Sequence, residues 1–180
     1  MLHARGASGA PRESSVWHAR YCLVLARKTQ VFGYLRIGAE GNRKGFKKGI
    51  AQLLAEGAVQ CLKGRGDGEG ADPLLAAVGE LQFEVVQDRL LGEYNVPTTL
   101  ERVSYDIARW AYPDEAADTA WAKVDTARDA GHLPNVFQAQ DVYGRPVLLF
   151  RSRFAVERLE ADPEIDLGLS PWATAPTLSR

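Results

Sequence analysis

The residues whose type and spacing most clearly suggest a binding site are three lysines, Lys44, Lys47 and Lys48. In a helix, residues at i, i+3 and i+4 lie on one face. These side chains would therefore form a cationic ridge, called the lysine ridge below, which Arg43 extends. Such a ridge can follow nucleic-acid phosphates, but a solvated helix face has the same pattern. The stacking aromatics of a ferredoxin-like RNA binder are largely missing, so we expect no sequence-specific reading of single strands.

Glycines are concentrated between Lys63 and Pro73, where they could expose backbone amides to an anion. A phosphate-binding loop joins a strand to a helix N-terminus and, in nucleoside triphosphatases, ends in Gly-Lys-Ser or Gly-Lys-Thr. This segment instead lies between two predicted strands and contains the acidic residues Asp67, Glu69 and Asp72. We therefore interpret it as a hairpin tip and expect no bound phosphate.

No group of residues has the spacing of a catalytic or metal-binding site. Glu80, Glu84 and Asp88 share one face of a predicted helix. No candidate base or nucleophile accompanies them at helical spacing, so we interpret them as a solvated acidic face. The histidines are isolated, and the serines lack a nucleophile-elbow context. The two cysteines, Cys22 and Cys61, are too few for a zinc site or a disulfide framework. We expect no catalytic residues, no metal and no cofactor.

The charge of the chain is unevenly distributed. Of its 180 residues, 46% are hydrophobic and 25% are charged, a composition typical of a globular protein. The net charge of −1 combines 10 basic and 2 acidic side chains in residues 1–48 with 12 basic and 21 acidic ones in residues 49–180. No apolar run approaches the roughly 20 residues of a membrane helix, and the low cysteine content fits a cytoplasmic protein.

Hydrophobic periodicity predicts the elements that would position the lysines. Strands are predicted over residues 31–37, 58–62, 74–78 and 98–105, with helices after the first and the third. The second helix would bury one apolar stripe, formed by Leu81, Val85, Val86, Leu90 and Tyr94. The order strand, helix, strand, strand, helix, strand predicts an α+β fold class, a ferredoxin-like split βαβ sandwich followed by a smaller α+β segment.

The predicted organisation has four parts. Residues 1–30 form a poorly ordered leader, 31–105 a ferredoxin-like subdomain, 106–165 a second α+β subdomain and 166–180 a tail. The Arg-rich leader would also suit a targeting segment. The second subdomain would contain a strand over 107–110, a helix over 114–130, a hairpin of 136–142 with 147–150, and a short helix over 154–159.

Three ordered motifs resemble one protein family. They are KKGIAQLLAEGAVQ (47–60), LLAAVGELQFEVVQDRLLGEYNV (74–96) and ARW (108–110). In order and spacing they are similar to the C-terminal domain of bacterial peptide chain release factor 3, a translational GTPase related to elongation factor G. The match extends over about residues 32–167. The resemblance implies a ribosome-associated module of a translation termination factor, without catalytic residues in this domain.

The chain departs from that family because it contains no Walker A or Asn-Lys-x-Asp motif, and we expect it to lack the GTPase and β-barrel domains. We expect a stand-alone, non-enzymatic module that contacts rRNA and ribosomal proteins. The candidate contact residues are Lys44, Lys47, Lys48, Arg89 and Arg109, chosen because cations suit phosphates. A separately encoded GTPase portion is a further expected partner, and an uncovered domain interface would favour self-association. Membranes and DNA are not expected partners.

Two other hypotheses stay open. The chain could be the inactive remnant of a truncated gene, which the adjoining upstream DNA would reveal. It could also be a small ferredoxin-like enzyme such as an acyl-phosphate hydrolase. That enzyme would need an anion-binding loop between the first strand and the first helix, where residues 38–45 contain three glycines and Arg43.

Overall fold

The computed structural model describes residues 30–68 and 70–173, so nearly all of the predicted leader, with Cys22, lies outside the described residues. In chain order the elements are β1 (Val31–Ile37), α1 (Arg43–Ala55), β2 (Gln60–Gly64), β3 (Leu74–Ala77), α2 (Glu80–Tyr94), β4 (Thr98–Val103), β5 (Ile107–Ala111), α3 (Ala117–Asp129), β6 (Phe137–Gln140), β7 (Pro146–Phe150), α4 (Arg153–Glu160) and β8 (Leu169–Ser170). This mixed content confirms the predicted α+β fold class.

The first half of the described chain has the strand order β4-β1-β3-β2, with every neighbouring pair antiparallel. This is the split βαβ arrangement that the order of elements predicts. Because side chains alternate along a strand, β1 presents Leu35 to the core under α1 and α2, and Phe32 to the opposite side of the sheet. Both faces of this half-sheet are therefore buried.

The second half continues the same sheet in the order β6-β7-β5-β8. The two halves join where β2 pairs with β6, with Lys63 opposite Gln140 and Gly64 opposite Ala139. Helices α3 and α4 cover one face of this half-sheet through side chains such as Val124. A single eight-stranded antiparallel sheet thus runs through the described chain.

The two half-sheets pack against each other on the faces that carry no helix. One core cluster combines Phe32 and Leu74 of the first half with Ala108, Trp110 and Leu149 of the second. The sheet therefore folds back on itself, giving four layers in the order helices, half-sheet, half-sheet, helices. Consequently α1 and α2 lie on one outer face of the molecule, and α3 and α4 lie on the other.

The predicted apolar stripe of α2 is wrong at two positions. Leu81 and Val85 are exposed, whereas the buried side is centred on Phe83, Val86 and Leu90. These three residues also have a helical spacing, i, i+3 and i+7, so the sequence of α2 contains two overlapping stripes. The position of α1 and the sheet determines which stripe is buried, and local periodicity carries no information about that position.

The predicted tail begins with a segment that packs on the sheet. Strand β8 pairs with β5, Ser170 lying opposite Trp110 and Leu169 opposite Ala111. Leu167 and Ala173 on either side are buried. The division into two subdomains stays a prediction, since one sheet and one shared core run through both.

Candidate nucleic-acid interface

Helix α1 carries the lysine ridge and has well-defined ends. The side chain of Asn42 accepts a hydrogen bond from the backbone N–H of Lys44, which caps the N-terminus. Gly57, with φ of +76°, follows the C-terminus in the left-handed conformation that glycine adopts at little cost. The ridge therefore lies on a helix whose first turn is fixed by a side-chain cap.

Close packing against α2 holds α1 in place. Phe46, Ile50 and Leu53 are buried on its inner side. Gly49 lies where α2 approaches most closely, because a Cβ atom there would be only 2.5 Å from Cδ2 of Leu90. The inner side of α1 is thus committed to the core, which directs the lysines outwards.

The structure brings Lys44, Lys47 and Lys48 together on the exposed side of α1. Among the described residues, none of the three forms an ion pair with a carboxylate. Arg43, at the first position of the helix, is also exposed and unpaired within the described chain. The ridge therefore presents positive charge that this part of the molecule does not neutralise, which suits binding of an anion such as a phosphate chain.

Arg89 occupies a different environment from the lysines. Its guanidinium donates hydrogen bonds to Glu56, at the end of α1, and to Glu93, one turn along α2. These bonds lower the pKa of both glutamates and raise the pKa of Arg89. Arg89 therefore joins the two helices as an ion-paired bridge and has little unpaired charge for a ligand.

Arg109 lies away from the ridge. It is half-buried on β5, and its Nη1 donates a hydrogen bond of 2.8 Å to the carbonyl of Ala108. Burial lowers the pKa of Arg109, and Glu160 of α4 partly offsets that effect. Its neighbours in β5, Ile107 and Ala111, pack under α3 and α4. The side chain thus belongs to the face opposite α1, so one flat patch cannot include both.

Some backbone amides of the two glycine-containing loops donate hydrogen bonds within the chain. In the β2–β3 hairpin, the N–H of Gly64 donates to the carboxylate of Asp67 at 2.9 Å. In the β1–α1 loop, the N–H of Gly38 donates to Pro97 and that of Gly41 donates to Gly38. With the N–H of Lys44 bound to Asn42, this loop offers little of the anion cradle that an acyl-phosphate hydrolase requires.

Residues 30–68 and 70–173 contain no group of three or more His, Cys, Asp and Glu side chains arranged to hold a metal ion. No helix in the same ranges combines the length and the apolar character needed to span a bilayer.

Sequence reasoning missed the role of Arg65. Its guanidinium binds both carboxylate oxygens of Asp125, at 2.5 and 2.7 Å, and the side-chain oxygen of Gln138 at 2.9 Å. It also stacks over the ring of Trp121, with the guanidinium carbon 4.3 Å from the ring centroid. Arg65 therefore links the first half of the chain to α3 and β6. Its partners are far away in sequence, so no local pattern indicates them.

Comparisons with known proteins agree with the resemblance found in the sequence. A family model described as class II release factor RF3, C-terminal domain, matches residues 28–160. Peptide chain release factor 3 of Microcystis aeruginosa is 44% identical over 139 residues, which make up 77% of this chain and 24% of that protein.

Two further relatives carry the same name. Peptide chain release factor 3 of a Synechocystis strain is 42% identical over 149 residues, 83% of this chain and 25% of its own length. That of Gloeothece citriformis is 40% identical over 139 residues, which make up 77% of this chain and 24% of that protein. The chain spans about a quarter of the length of the curated relatives that it matches. The chain belongs to the family of class II release factor RF3 C-terminal domains.

Proposed function

We propose that this release-factor-3-type domain is a ribosome-contacting module and that the lysine ridge binds rRNA phosphates. The observation that carries the proposal is the set of three exposed lysines on one helix face, none of which forms an ion pair within residues 30–68 and 70–173. Lysine acts on phosphates as a point charge and releases condensed counterions when it binds. Arg89 and Arg109, which are ion-paired and half-buried respectively, contribute less to this contact.

We also propose that the module supplies contacts and positioning rather than catalysis, and that it works in the cytoplasm, where ribosomes translate. Support comes from how its charged groups are used. Arg89 joins two helices through Glu56 and Glu93, and Asp141 binds Arg145 in a pair with side chains less than a tenth exposed. Groups tied in this way stabilise the fold and are not poised to exchange protons with a substrate.

The test is co-sedimentation of the full chain with ribosomes across a salt series. Each phosphate contact adds about 0.7–0.9 to the slope of log affinity against log salt. Reversal of Lys44, Lys47 and Lys48 to glutamate should therefore reduce the slope by roughly 2–3 and the affinity at low salt by at least about tenfold. Thermal unfolding of the variant checks that the fold is intact.

A matched control reverses three exposed arginines on the opposite face, Arg151, Arg153 and Arg158, with the same change in net charge. It should lower the affinity less than about twofold at moderate salt, since the charges lie on the far side of the fold. Equal losses in the two variants would mean non-specific attraction and would refute the lysine contact. Absence of binding by the unmodified chain at low salt would refute the ribosome proposal itself. Saturable GTP binding would refute the expectation, based on the missing motifs, that the chain has no affinity for guanine nucleotides.

A further inference from the structure

The outer face of α2, formed by Leu81, Glu84, Val85, Asp88 and Leu91, is apolar and acidic at once. Leu81 is 71% exposed, Leu91 is 52% exposed and Val85 is 45% exposed. The three side chains alternate with the two carboxylates along the chain, and around the helix all five fall within one stripe of about 120° on the side away from the core. Large exposed apolar side chains grouped in this way typically mark an interaction site.

The fold itself does not explain this stripe. Phe83, Val86 and Leu90 bury the inner side of α2 completely, so stability requires no further apolar residues on the outer side. Gly92 lies within the same stripe, although glycine weakens a helix relative to alanine. A Cβ atom at Gly92 would meet no described atom within 4 Å. Close approach of another backbone is one of the uses that proteins make of glycine.

The stripe continues into a shallow cleft between α2 and the start of β4. The residues that line this cleft are Glu84, Gln87, Asp88, Leu91, Pro97 and Thr98. The cleft borders one side of the stripe near Leu91, and the stripe itself runs along α2, a shape that suits an elongated partner such as a helix.

The charge of the stripe identifies the chemistry of its occupant. Within the described chain, Glu84 and Asp88 form no ion pair, whereas the neighbouring Glu80 is paired with Arg102. Arg102 is also close enough to interact with the charge of Glu84, whereas no cation pairs with Asp88 in the described chain. The two carboxylates repel the phosphates of RNA, so this face does not suit an extension of the proposed rRNA contact of α1. They attract lysine or arginine, and the apolar side chains between them require an apolar partner surface.

We propose that the outer face of α2 binds a cationic amphipathic helix of another polypeptide. The apolar side of that helix lies against Leu81, Val85 and Leu91, and its basic side chains pair with Glu84 and Asp88. Gly92 lets its backbone approach. This proposal does not rest on the lysine ridge, because the two surfaces have opposite charge and are tested with different ligands.

The experiment measures fluorescence anisotropy of a labelled synthetic helix with the full chain. The probe is as long as α2 and carries leucines at i, i+3, i+4 and i+7 with lysines on both flanks. A second probe has every lysine replaced by glutamate. We expect the lysine probe to bind at least about tenfold more tightly than the glutamate probe, since only the former complements Glu84 and Asp88. Equal binding of both probes, or no binding of either, overturns the proposal.

Two double variants locate the site. Glu84→Lys with Asp88→Lys should weaken binding of the lysine probe at least about tenfold. The matched control, Asp114→Lys with Glu164→Lys, changes two exposed carboxylates elsewhere and should weaken it less than about twofold. Equal weakening by both variants overturns the assignment to α2. Circular dichroism confirms that each variant is folded.

A single substitution tests the close approach at Gly92. Gly92→Leu fills open space, so the thermal midpoint should stay level or rise while binding of the lysine probe falls at least about fivefold. A folded variant that binds the probe with unchanged affinity overturns the proposed packing.

Two further experiments would show whether a different ligand occupies the outer face of α2. Sedimentation that shows a dimer of this chain, dissociated by Leu81→Lys, would assign the face to a second copy and overturn the proposal. Residues 1–29 hold Arg5, Arg12, Arg20, Arg27 and Lys28 against one acidic residue. If reversal of Arg20, Arg27 and Lys28 to glutamate raises the affinity for the lysine probe, the chain's own N-terminal segment occupies the face, which also overturns the proposal.

Discussion

Helices α1 and α2 lie side by side over the same half-sheet, yet their outer faces are opposite in character. Both bury apolar residues in one shared core, for example Phe46 from α1 and Phe83 from α2. Outside, α1 presents Lys44, Lys47 and Lys48, and α2 presents carboxylates among exposed leucines. The inner faces are thus determined by packing, and the two proposals above assign the outer faces to binding. Inner substitutions should change stability, and outer substitutions should change binding.

The largest expected effect concerns the inner face of α2. Phe83 is 1% exposed, so Phe83→Ala should lower the free energy of unfolding by about 3–5 kcal/mol through lost burial and a cavity. Leu81→Ala, two positions earlier on the outer face, should change it by less than about 0.5 kcal/mol. Urea unfolding followed by circular dichroism measures both. Similar losses in the two variants would contradict the assignment of inner and outer sides.

A smaller loss is expected where the two helices touch. Gly49→Ala places a methyl group 2.5 Å from Cδ2 of Leu90 and 2.9 Å from Cδ2 of Tyr94. Overpacking of this kind should cost about 1–3 kcal/mol, although alanine favours a helix more than glycine does. The measurement is the urea concentration at the midpoint of unfolding, compared between variants whose free energy of unfolding has the same dependence on urea concentration. An unchanged or raised midpoint would show that α1 and α2 do not pack this closely.

The corresponding change on α2 should have the opposite sign. Gly92→Ala meets open space and removes the helix penalty of glycine, so it should raise the free energy of unfolding by about 0.5–1 kcal/mol. Thermal and urea unfolding of Gly49→Ala and Gly92→Ala, measured in the same buffer, show whether the two changes in stability have opposite signs. A loss of stability in Gly92→Ala would mean that a contact within the chain already occupies this space.

The smallest expected effect concerns the bridge between the helices. Arg89 lowers the pKa of Glu56 and Glu93 in the folded state. Their stabilising contribution is therefore complete above the pKa of glutamate in the unfolded chain, about 4.3, and is lost as the pH falls through the lower folded values. The difference in stability between the unmodified chain and Arg89→Gln should be present at neutral pH and shrink in acid.

Urea unfolding over a pH series measures this difference, which should stay small because the pair is exposed. Arg153→Gln, which removes one contact with Glu157 on α4, is the control for loss of an isolated i, i+4 pair. A difference that grows towards low pH would contradict the assigned role of Arg89.

Local sequence patterns predict the elements of the first half well. Strand β1 and the hairpin of β2 and β3 follow from apolar runs and glycines, and α1 follows from apolar residues at helical spacing. The position of the lysine ridge follows too, because the spacing of Lys44, Lys47 and Lys48 on a helix leaves them only the side opposite the core. These features depend on residues close together in the chain.

Long-range partners explain what the sequence could not predict. Of the two partners of Arg89, Glu93 lies four positions along the same helix, within reach of a local pattern, whereas Glu56 lies 33 positions away. Arg109 is half-buried because β5 packs under α4, and the pairing of β2 with β6 joins residues as distant as Lys63 and Gln140. The buried side of α2 likewise depends on where α1 lies. Such facts arise from tertiary packing, which no window of sequence contains.

The eight-stranded sheet also has consequences for how the molecule avoids aggregation. An open sheet edge is a template on which another strand can add. Strand β4 forms one edge, and its Glu101 and Arg102 are held in ion pairs with Arg36 and Glu80. At the other edge, β8 has only two residues and is followed by Pro171, which has no N–H to donate. Growth of the sheet from molecule to molecule is therefore disfavoured at both ends.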